Sequence, residues 1–481
     1  VSKTNTLIGT QGNGWASGYL YPGATYPFGM VQFTPTYFTK QLGFVINQLS
    51  GAGCDHMGNF PTLPIAGALR VSPDSILNMQ TPVGKEIGTA GYYAATVDHS
   101  IRAELTVTER TGMARYTFSS KEKQGTVIIG GGVAATPIQV AAIKITGPHS
   151  CEGYAEGGAF CGIPTPYKVY FVAEFDADAE SFGTWKEERL HANHTFAEGS
   201  HSGVYFTFPL KEGNQAVQYK IGVSYVSVEN ARENLRVENP AWDFSAVRQA
   251  TQDKWNEYLG KIEVEGDNED RQMQFYTHLY RSLIHPNVCS DVNGEYMGAD
   301  SQVHKTARKF YTSFSNWDTY RTQTALIAML APEETSDIVM SHYLFAEQSG
   351  GGFPRWVLAN IETGVMQGDP TPILVANAYA FGARNYDPRT LLRTMRYGAE
   401  VPGANSQGVL TRPGLEQYLE KGYYDASILL EYTSSDFAIG RFALQACNDE
   451  PVCNWYTQRA MNWKNLFNKE TGWLQSRNED G

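Results

Sequence analysis

The strongest constraint on the fold is a change of hydrophobic period near residue 235. Before it, apolar side chains alternate with other residues, as in Val169, Phe171, Ala173 and Phe175, and again in Val217, Tyr219, Ile221, Val223 and Tyr225. A period of two places such residues on one buried face of a strand. The runs are separated by turn-rich segments with no helical period between them, which favours an antiparallel β-sandwich over a parallel α/β sheet. Residues 1–235 are therefore expected to form one large sandwich domain. Beyond them, Phe244, Val247, Thr251, Trp255 and Tyr258 recur at three- and four-residue intervals, the spacing of one helix face. A helical linker is expected over 236–268, its helix starting near Trp242.

From 269 onward the periods stay helical. Met273, Tyr276, Tyr280 and Leu283 share a face, and Pro286 stops that helix. Another helix is expected to start at Asp387-Pro388, where Asp caps and Pro suits the first turn. Further helices are expected over Ala426–Gln445 and Trp455–Phe467. No strand pattern interrupts them, so residues 269–481 are expected to form an array of helices closing on itself, an (α/α) toroid.

Composition excludes several function classes. Hydrophobic residues make up 42% and charged residues 18% of the 481 positions, a balance that excludes intrinsic disorder. The formal charge is −12 with no Lys/Arg-rich run, so the footprint of a nucleic-acid binder is missing. No apolar run approaches the roughly 18 residues of a membrane helix. The first residues, Val1-Ser-Lys-Thr-Asn-Thr6, contain no apolar core of a secretory leader. Of the six cysteines, Cys151/Cys161 and Cys447/Cys453 are close enough in sequence to close small disulfide loops, the alternative being six buried thiols.

Familiar catalytic signatures are missing from the sequence: no His-Glu-x-x-His, no Gly-x-Ser-x-Gly elbow and no phosphate loop. The glycine-rich stretches Gly9 to Gly18 and Gly130-Gly131-Gly132 lack dinucleotide spacing. His56, next to Asp55, and His278 and His285 form no tight metal-ligand cluster, and structural histidines with satisfied hydrogen bonds are the expectation for them. What stands out are loops rich in aromatic and charged residues, Phe314-Ser-Asn-Trp-Asp-Thr-Tyr-Arg321 and Gly351-Gly-Phe-Pro-Arg-Trp356, followed by Gly368-Asp369. Aromatic faces cover the C–H patches of a sugar ring, while carboxylates and guanidinium groups bind its hydroxyls. The plain alternative is that Trp317 and Trp356 are core aromatics and the charges pair between helix ends.

The order of segments is more specific. Leu7-Ile-Gly-Thr10, Tyr21-Pro-Gly-Ala-Thr-Tyr-Pro-Phe-Gly-Met-Val-Gln32, Leu49-Ser-Gly-Ala-Gly-Cys54, Ser224-Tyr-Val-Ser-Val-Glu-Asn-Ala-Arg232, Phe275-Tyr-Thr-His-Leu-Tyr-Arg281 and His285-Pro-Asn-Val288 are followed by Trp317-Asp-Thr-Tyr-Arg321, Glu362-Thr-Gly-Val-Met-Gln-Gly-Asp369, Asn465-Leu-Phe467 and Glu470-Thr-Gly472. In this the chain resembles glycoside hydrolase family 92, the calcium-dependent exo-acting α-mannosidases. The resemblance implies a β-sandwich, a helical linker and the N-terminal part of an (α/α)6 barrel. It implies hydrolysis of terminal α-mannosides, such as the α-1,2-linked mannose of N-glycans or mannans, with inversion and with Ca2+ as cofactor, in a secreted, periplasmic or cell-surface protein.

By the same resemblance, the mannose pocket draws on Gly53 and Cys54 from the sandwich and on Asp318, Arg321, Trp356 and Asp369 from the barrel. A Trp356 indole serving as a sugar platform would be partly exposed. The family's Gly-Asn-Glu-Pro-like catalytic acid motif and the acidic segment that carries its catalytic base are not found. Asn448-Asp-Glu-Pro451 looks like the acid motif but falls upstream of its place and reads as a helix-connecting loop. The chain is thus expected to stop at Gly481 before the acid, the base and most calcium ligands, the rest of the barrel coming from a C-terminal segment or a second chain. Ile46-Asn-Gln48 stands where many relatives have histidines, which leaves the linkage preference open. Two other functions fit the same residues: removal of mannose from a mannosyl-phosphate cap, whose phosphate leaves without proton donation, and mannose binding without hydrolysis.

Overall fold

The computed structural model describes residues 1–10, 18–35, 43–74, 83–212, 215–478 and 480. Most of the glycine-rich stretch from Gly9 to Gly18 lies outside them. The chain forms two compact units, Val1–Tyr296 and Met297–Gly481. The first is the expected antiparallel β-sandwich. One sheet has eight strands, in the order Ala24–Thr25, Gln32–Pro35, Phe44–Val45, Thr62–Ala66, Gln124–Gly130, Ser202–Pro209, Ser181–Lys186 and Arg189–Ala192. The other has nine, in the order Phe196–Glu198, Ile138–Gly147, Ser150–Phe160, Ile163–Phe175, Ala216–Ser224, Thr111–Thr117, Ile101–Val107, Tyr92–Val97 and Val83–Thr89.

Aromatic rings join the two sheets. Phe60 and Phe171 lie 4.3 Å apart, Phe175 and Phe206 5.0 Å, and Phe33 and Tyr219 6.3 Å. Each large ring removes about 150–250 Å² of surface from water, so much of the aromatic share of the sequence is sandwich core.

The alternation read in the sequence holds where one face of the sheet meets solvent and fails where both are covered. In Ala216–Ser224 every residue from Tyr219 to Ser224 is buried, because a helix not expected from the sequence, α1 (Val228–Glu238), lies on the outer face. Val172, Ala231 and Leu235 pack together there, with Val228 against them. The approach is so close that a Cβ on Gly222 would meet the Ala231 carbonyl oxygen at 2.3 Å. The strand-like stretch therefore ends at Ser224, ahead of the expected boundary at 235. A local signal was available: Ser227 caps Asn230 N, and Val228, Ala231 and Leu235 lie on one face.

The linker helix forms as α2 (Phe244–Leu259), capped by Asp243, with Phe244, Thr251, Trp255 and Tyr258 buried as the periodicity predicts. The next, α3 (Glu269–Ser282), ends ahead of Pro286.

The second unit is helical, with α4 (Asn316–Thr319), α5 (Gln323–Leu330), α6 (Pro332–Glu347), α7 (Thr371–Ala380), α8 (Pro388–Glu400), α9 (Leu415–Lys421), α10 (Ala426–Cys447) and α11 (Glu450–Ala460). Asp387 caps Arg389 N and Thr390 N at the start of α8, as its sequence predicts. Ala328, Val339, Leu374, Val375, Leu391, Met395, Ile439 and Phe442 form the main core of this unit.

Two expectations are corrected here. Short strand pairs do interrupt the helices, among them Asn405–Ser406 with Val409–Leu410 and the three-stranded set Phe314–Ser315, Trp356–Leu358 and Ile361–Glu362. Two-residue strands are too short to show a period of two. The helix expected from Trp455 begins instead at Glu450, with Asp449 capping Val452 N and Pro451 in the first turn. Asn448-Asp-Glu-Pro451 thus holds the left-handed end of one helix, at Asn448, and the start of the next. No helix of the described residues is long and apolar enough to cross a membrane.

Candidate active site

In the sandwich unit, the segment from Leu49 to His56 carries Gly53 and Cys54. Cys54 is disulfide-bonded to Cys161, 107 residues away, which corrects both pairings suggested by sequence proximity. Cys151 sits at the start of its strand, opposite Ala173 and buried, at the far end of Ser150–Phe160 from the turn that carries Cys161. Cys447 and Cys453 are separate buried thiols on α10 and α11. Two buried imidazoles hold the same segment. His56 Nε2 accepts from Leu49 N at 2.8 Å and its Nδ1 bonds Cys54 O at 2.7 Å; His285 Nε2 accepts from Ser50 N at 2.8 Å and its Nδ1 bonds Asn287 Oδ1 at 2.6 Å. Burial lowers both imidazoles to about 4, so they are neutral acceptors at pH 7, the structural role expected of them. Gly53 itself is exposed.

In the helical unit, pairing of Ser315 with Trp356 and of Phe314 with Val357 sets the Trp317-Asp-Thr-Tyr-Arg321 motif beside Arg355-Trp356. Asn316 adds to the join. Its Nδ2 donates to Pro354 O (3.2 Å) and Thr371 Oγ1 (2.8 Å), and its Oδ1 bonds the buried His342 Nε2 at 3.0 Å. Asp318 is exposed on α4, where its carboxylate accepts from Ser315 Oγ. Arg321 is also exposed, and its guanidinium lies over the Trp317 and Tyr320 rings at 4.6 and 4.8 Å. Asp318 and Arg321 thus offer an acceptor and a fork of donors to solvent beside the half-buried Trp317, a set that suits a polyol.

The other two residues expected in the pocket are buried. Trp356 is 4% exposed, so the expected partly exposed platform is not found. Its strand is the middle one of three, and all three of its residues are buried. Asp369 is 3% exposed and accepts from Arg412 Nε at 2.8 Å, while Arg412 Nη1 reaches Asp436 at 2.7 Å. Asp436 also accepts from Arg459 Nε at 2.7 Å and Tyr418 OH at 2.6 Å. Burial acts to raise both carboxyls. At Asp436 it is outweighed by Arg412 and Arg459, which bring it below the usual carboxylate range. Asp369 has Arg412 as its bonded cation and stays raised.

Sequence reasoning gave no separate role to Glu362 and grouped Arg355 with the sugar-binding charges. The structure uses both to build the loop. Glu362 accepts from the backbone N–H groups of Arg355 (2.6 Å), Trp356 (3.2 Å) and Gly364 (2.8 Å). Arg355 donates to the carbonyls of Gly364, Met366, Gly368 and Leu410. Glu431, on α10, was also missed: its Oε1 accepts from Trp317 Nε1 at 3.1 Å. It lies 114 residues from Trp317 in sequence, so no local pattern marks it. Among the described residues no group of three or more His, Cys, Asp or Glu side chains converges to hold a metal ion. The described carboxylates therefore do not by themselves gather into a calcium site.

Comparison with known proteins gives this geometry a family context. Residues 4–224 match the model of the glycosyl hydrolase family 92 N-terminal domain, and residues 230–481 that of the family's catalytic domain. An uncharacterized secreted glycosidase of Arthroderma benhamiae is 25% identical over 96% of this chain and 61% of its own length. A family GH92 inverting mannosidase from Bacteroides thetaiotaomicron superposes with a TM-score of 0.89 at 25% identity, over 100% of this chain and 66% of that one. A family GH92 α-mannosidase from the same organism, in complex with mannoimidazole, gives 0.89 at 23% identity, over 100% of this chain and 65% of that one. The chain thus spans less than two thirds of the length of each of these three.

Proposed function

Because this chain belongs to glycosyl hydrolase family 92, we propose that it serves an exo-acting α-mannosidase that hydrolyses terminal α-mannosides with inversion. The observation that carries the reading is the exposed cluster of Asp318, Arg321 and Trp317 within the segment matched to the catalytic domain. Relatives named as α-mannosidase and inverting mannosidase, one of them bound to mannoimidazole, support the choice of sugar and stereochemistry.

In this reading Asp318 accepts from sugar hydroxyls, Arg321 donates to them, and the Trp317 ring covers a C–H face. Trp356 and Asp369, both buried in the same unit, support the binding residues rather than touch the sugar. Inversion requires a general acid and a general base roughly 6.5–9.5 Å apart, leaving room for the attacking water. None of the residues above is assigned to that pair; their task is to grip the sugar. Calcium is an oxygen-seeking cation and belongs to what the family likeness implies, but no step is routed through it here. A secreted or periplasmic location completes the reading. It is supported by the Cys54–Cys161 disulfide, a bond typical of oxidising compartments, and by the Arthroderma relative named as secreted.

The test is turnover of α-1,2-mannobiose and an aryl α-mannoside by the full-length protein, with NMR detection of the first anomer released and with and without a chelator. Release of β-mannose is expected; α-mannose as first product, or no mannose at all, overturns the proposal. Asp318→Ala is expected to lower kcat/KM by roughly 30- to 150-fold, because a charged hydrogen bond is worth about 2–3 kcal/mol. Near-wild-type efficiency in that variant would remove Asp318 from the pocket.

A further inference from the structure

Resting on the sugar-binding role of Arg321 given above, we infer that Glu431 is the positioning residue that fixes the Trp317–Arg321 cluster in its binding arrangement. Three donors from a single motif turn converge on this one carboxylate. Oε1 accepts the indole N–H of Trp317 at 3.1 Å and pairs with Arg321 Nη2 at 3.5 Å, and Oε2 accepts the phenol of Tyr320 at 3.4 Å. The guanidinium of Arg321 is thereby held on three sides: by the faces of two rings, themselves tied to Glu431, and by Glu431 itself.

The carboxylate is well placed for this. Its side chain is 17% exposed, against 47% for Arg321, so Glu431 is sheltered while the cation reaches solvent. It stands in the second turn of α10, the 22-residue helix Ala426–Cys447. Its Cβ is pressed against the neighbouring loop: a Cβ on Gly368 would lie 2.5 Å from it, and Gly368 takes φ +76° at that point. One turn further along, Ser435 Oγ donates to the Asp369 carbonyl oxygen. Glu431 is therefore anchored from below by packing that does not involve the motif it organises.

An unanchored arginine on an exposed turn samples many rotamers, and ordering it on binding carries an entropic cost. Glu431 removes that cost beforehand and aims the free N–H groups of Arg321 outward. Because Arg321 contacts the sugar in ground state and transition state alike, losing the anchor acts on KM and leaves kcat nearly unchanged.

The experiment uses the full-length protein and four forms: wild type, Glu431→Gln, Arg321→Ala and the double variant. Glu431→Gln keeps an acceptor for the Trp317 indole and removes the charge that holds Arg321. The expected result is a rise in KM for an aryl α-mannoside, and in Kd for mannoimidazole, of about tenfold for Glu431→Gln, with kcat within about twofold and Tm within about 2 °C of wild type. In the Arg321→Ala background the same change has no further effect. Wild-type KM in Glu431→Gln, or an equal loss with and without Arg321, overturns the inference, as does a loss that tracks a fall in Tm. A wild-type protein that neither hydrolyses α-mannosides nor binds mannoimidazole overturns the mannosidase reading and this inference with it, an outcome distinct from a failure of Glu431 alone.

Discussion

Replacing Asp436 with asparagine isolates the buried charge network beneath the candidate site. The carboxylate is fully buried and accepts from Arg412 Nη1 at 2.7 Å, from Arg459 at 2.7 and 2.5 Å through Nε and Nη2, and from Tyr418 OH at 2.6 Å. Asparagine keeps the shape and removes the charge. Arg412 then retains Asp369, but two guanidinium groups face a single carboxylate in a place water does not reach. A unit-charge pair at about 4 Å is worth roughly 4 kcal/mol at an effective dielectric constant of 20. Removing one partner of a buried pair typically costs about 3–5 kcal/mol. For a unit of this size each kcal/mol moves the midpoint by about 2–4 °C, so the expected fall in Tm is roughly 6–20 °C. Differential scanning calorimetry on the full chain reads it. The variant Asp436→Asn/Arg459→Met, which also removes the stranded cation, is expected to recover more than half of the loss. A fall of less than about 2 °C in Asp436→Asn, or no recovery in the double variant, would show that water or rearrangement neutralises the network and that the reasoning is wrong.

Protonation of the buried histidines makes the fold acid-sensitive. His56, His285 and His342 are each lowered by burial from 6.5 to about 4, so between those values the unfolded chain takes up protons that the folded one refuses. Stability is therefore complete above pH 6.5 and is lost as the pH falls towards 4, by on the order of 3 kcal/mol for each histidine; a Tm that stays level through this window refutes it. Truncating Trp356 to alanine is expected to destabilise the protein by roughly 3–5 kcal/mol through the cavity left, read by urea unfolding, whereas an unchanged midpoint with weakened mannose binding would return the indole to the role of an exposed platform. Opening the Cys54–Cys161 bond by Cys54→Ser/Cys161→Ser, which frees a 107-residue separation, is expected to cost about 2–4 kcal/mol, and a thermal scan matching wild type would contradict it.

Much of the architecture is legible before any coordinates. The switch from a period of two to helical periods separates sandwich from helices, and the cap Asp387 marks a helix start to the residue. These features are decided by short-range interactions: a strand face repeats every second residue, and an N-cap satisfies N–H groups two or three positions away. Errors arose where tertiary covering changes the pattern. Helix α1 hides the outer face of Ala216–Ser224, so its last six residues are buried on both faces. Neighbouring cysteines suggested bonds that do not form: Cys161 pairs with the distant Cys54, and Cys447 and Cys453 stay free on successive helices.

The candidate site divides along the same line. The residue types for gripping a sugar, and the family motifs that order them, are present in the sequence itself. Which of them meet solvent was decided only by the tertiary structure. Asp318 and Arg321 are exposed on their turn, whereas Trp356 is buried on its strand and Asp369 is enclosed with Arg412 and Ser435. Glu431 and Cys161 reach their partners across 114 and 107 residues. Local sequence carries no record of such pairings, because they follow from how elements pack after each has formed. Composition and periodicity thus determined which layers this chain builds, and packing alone decided which charges are buried, which are held and which are free to bind.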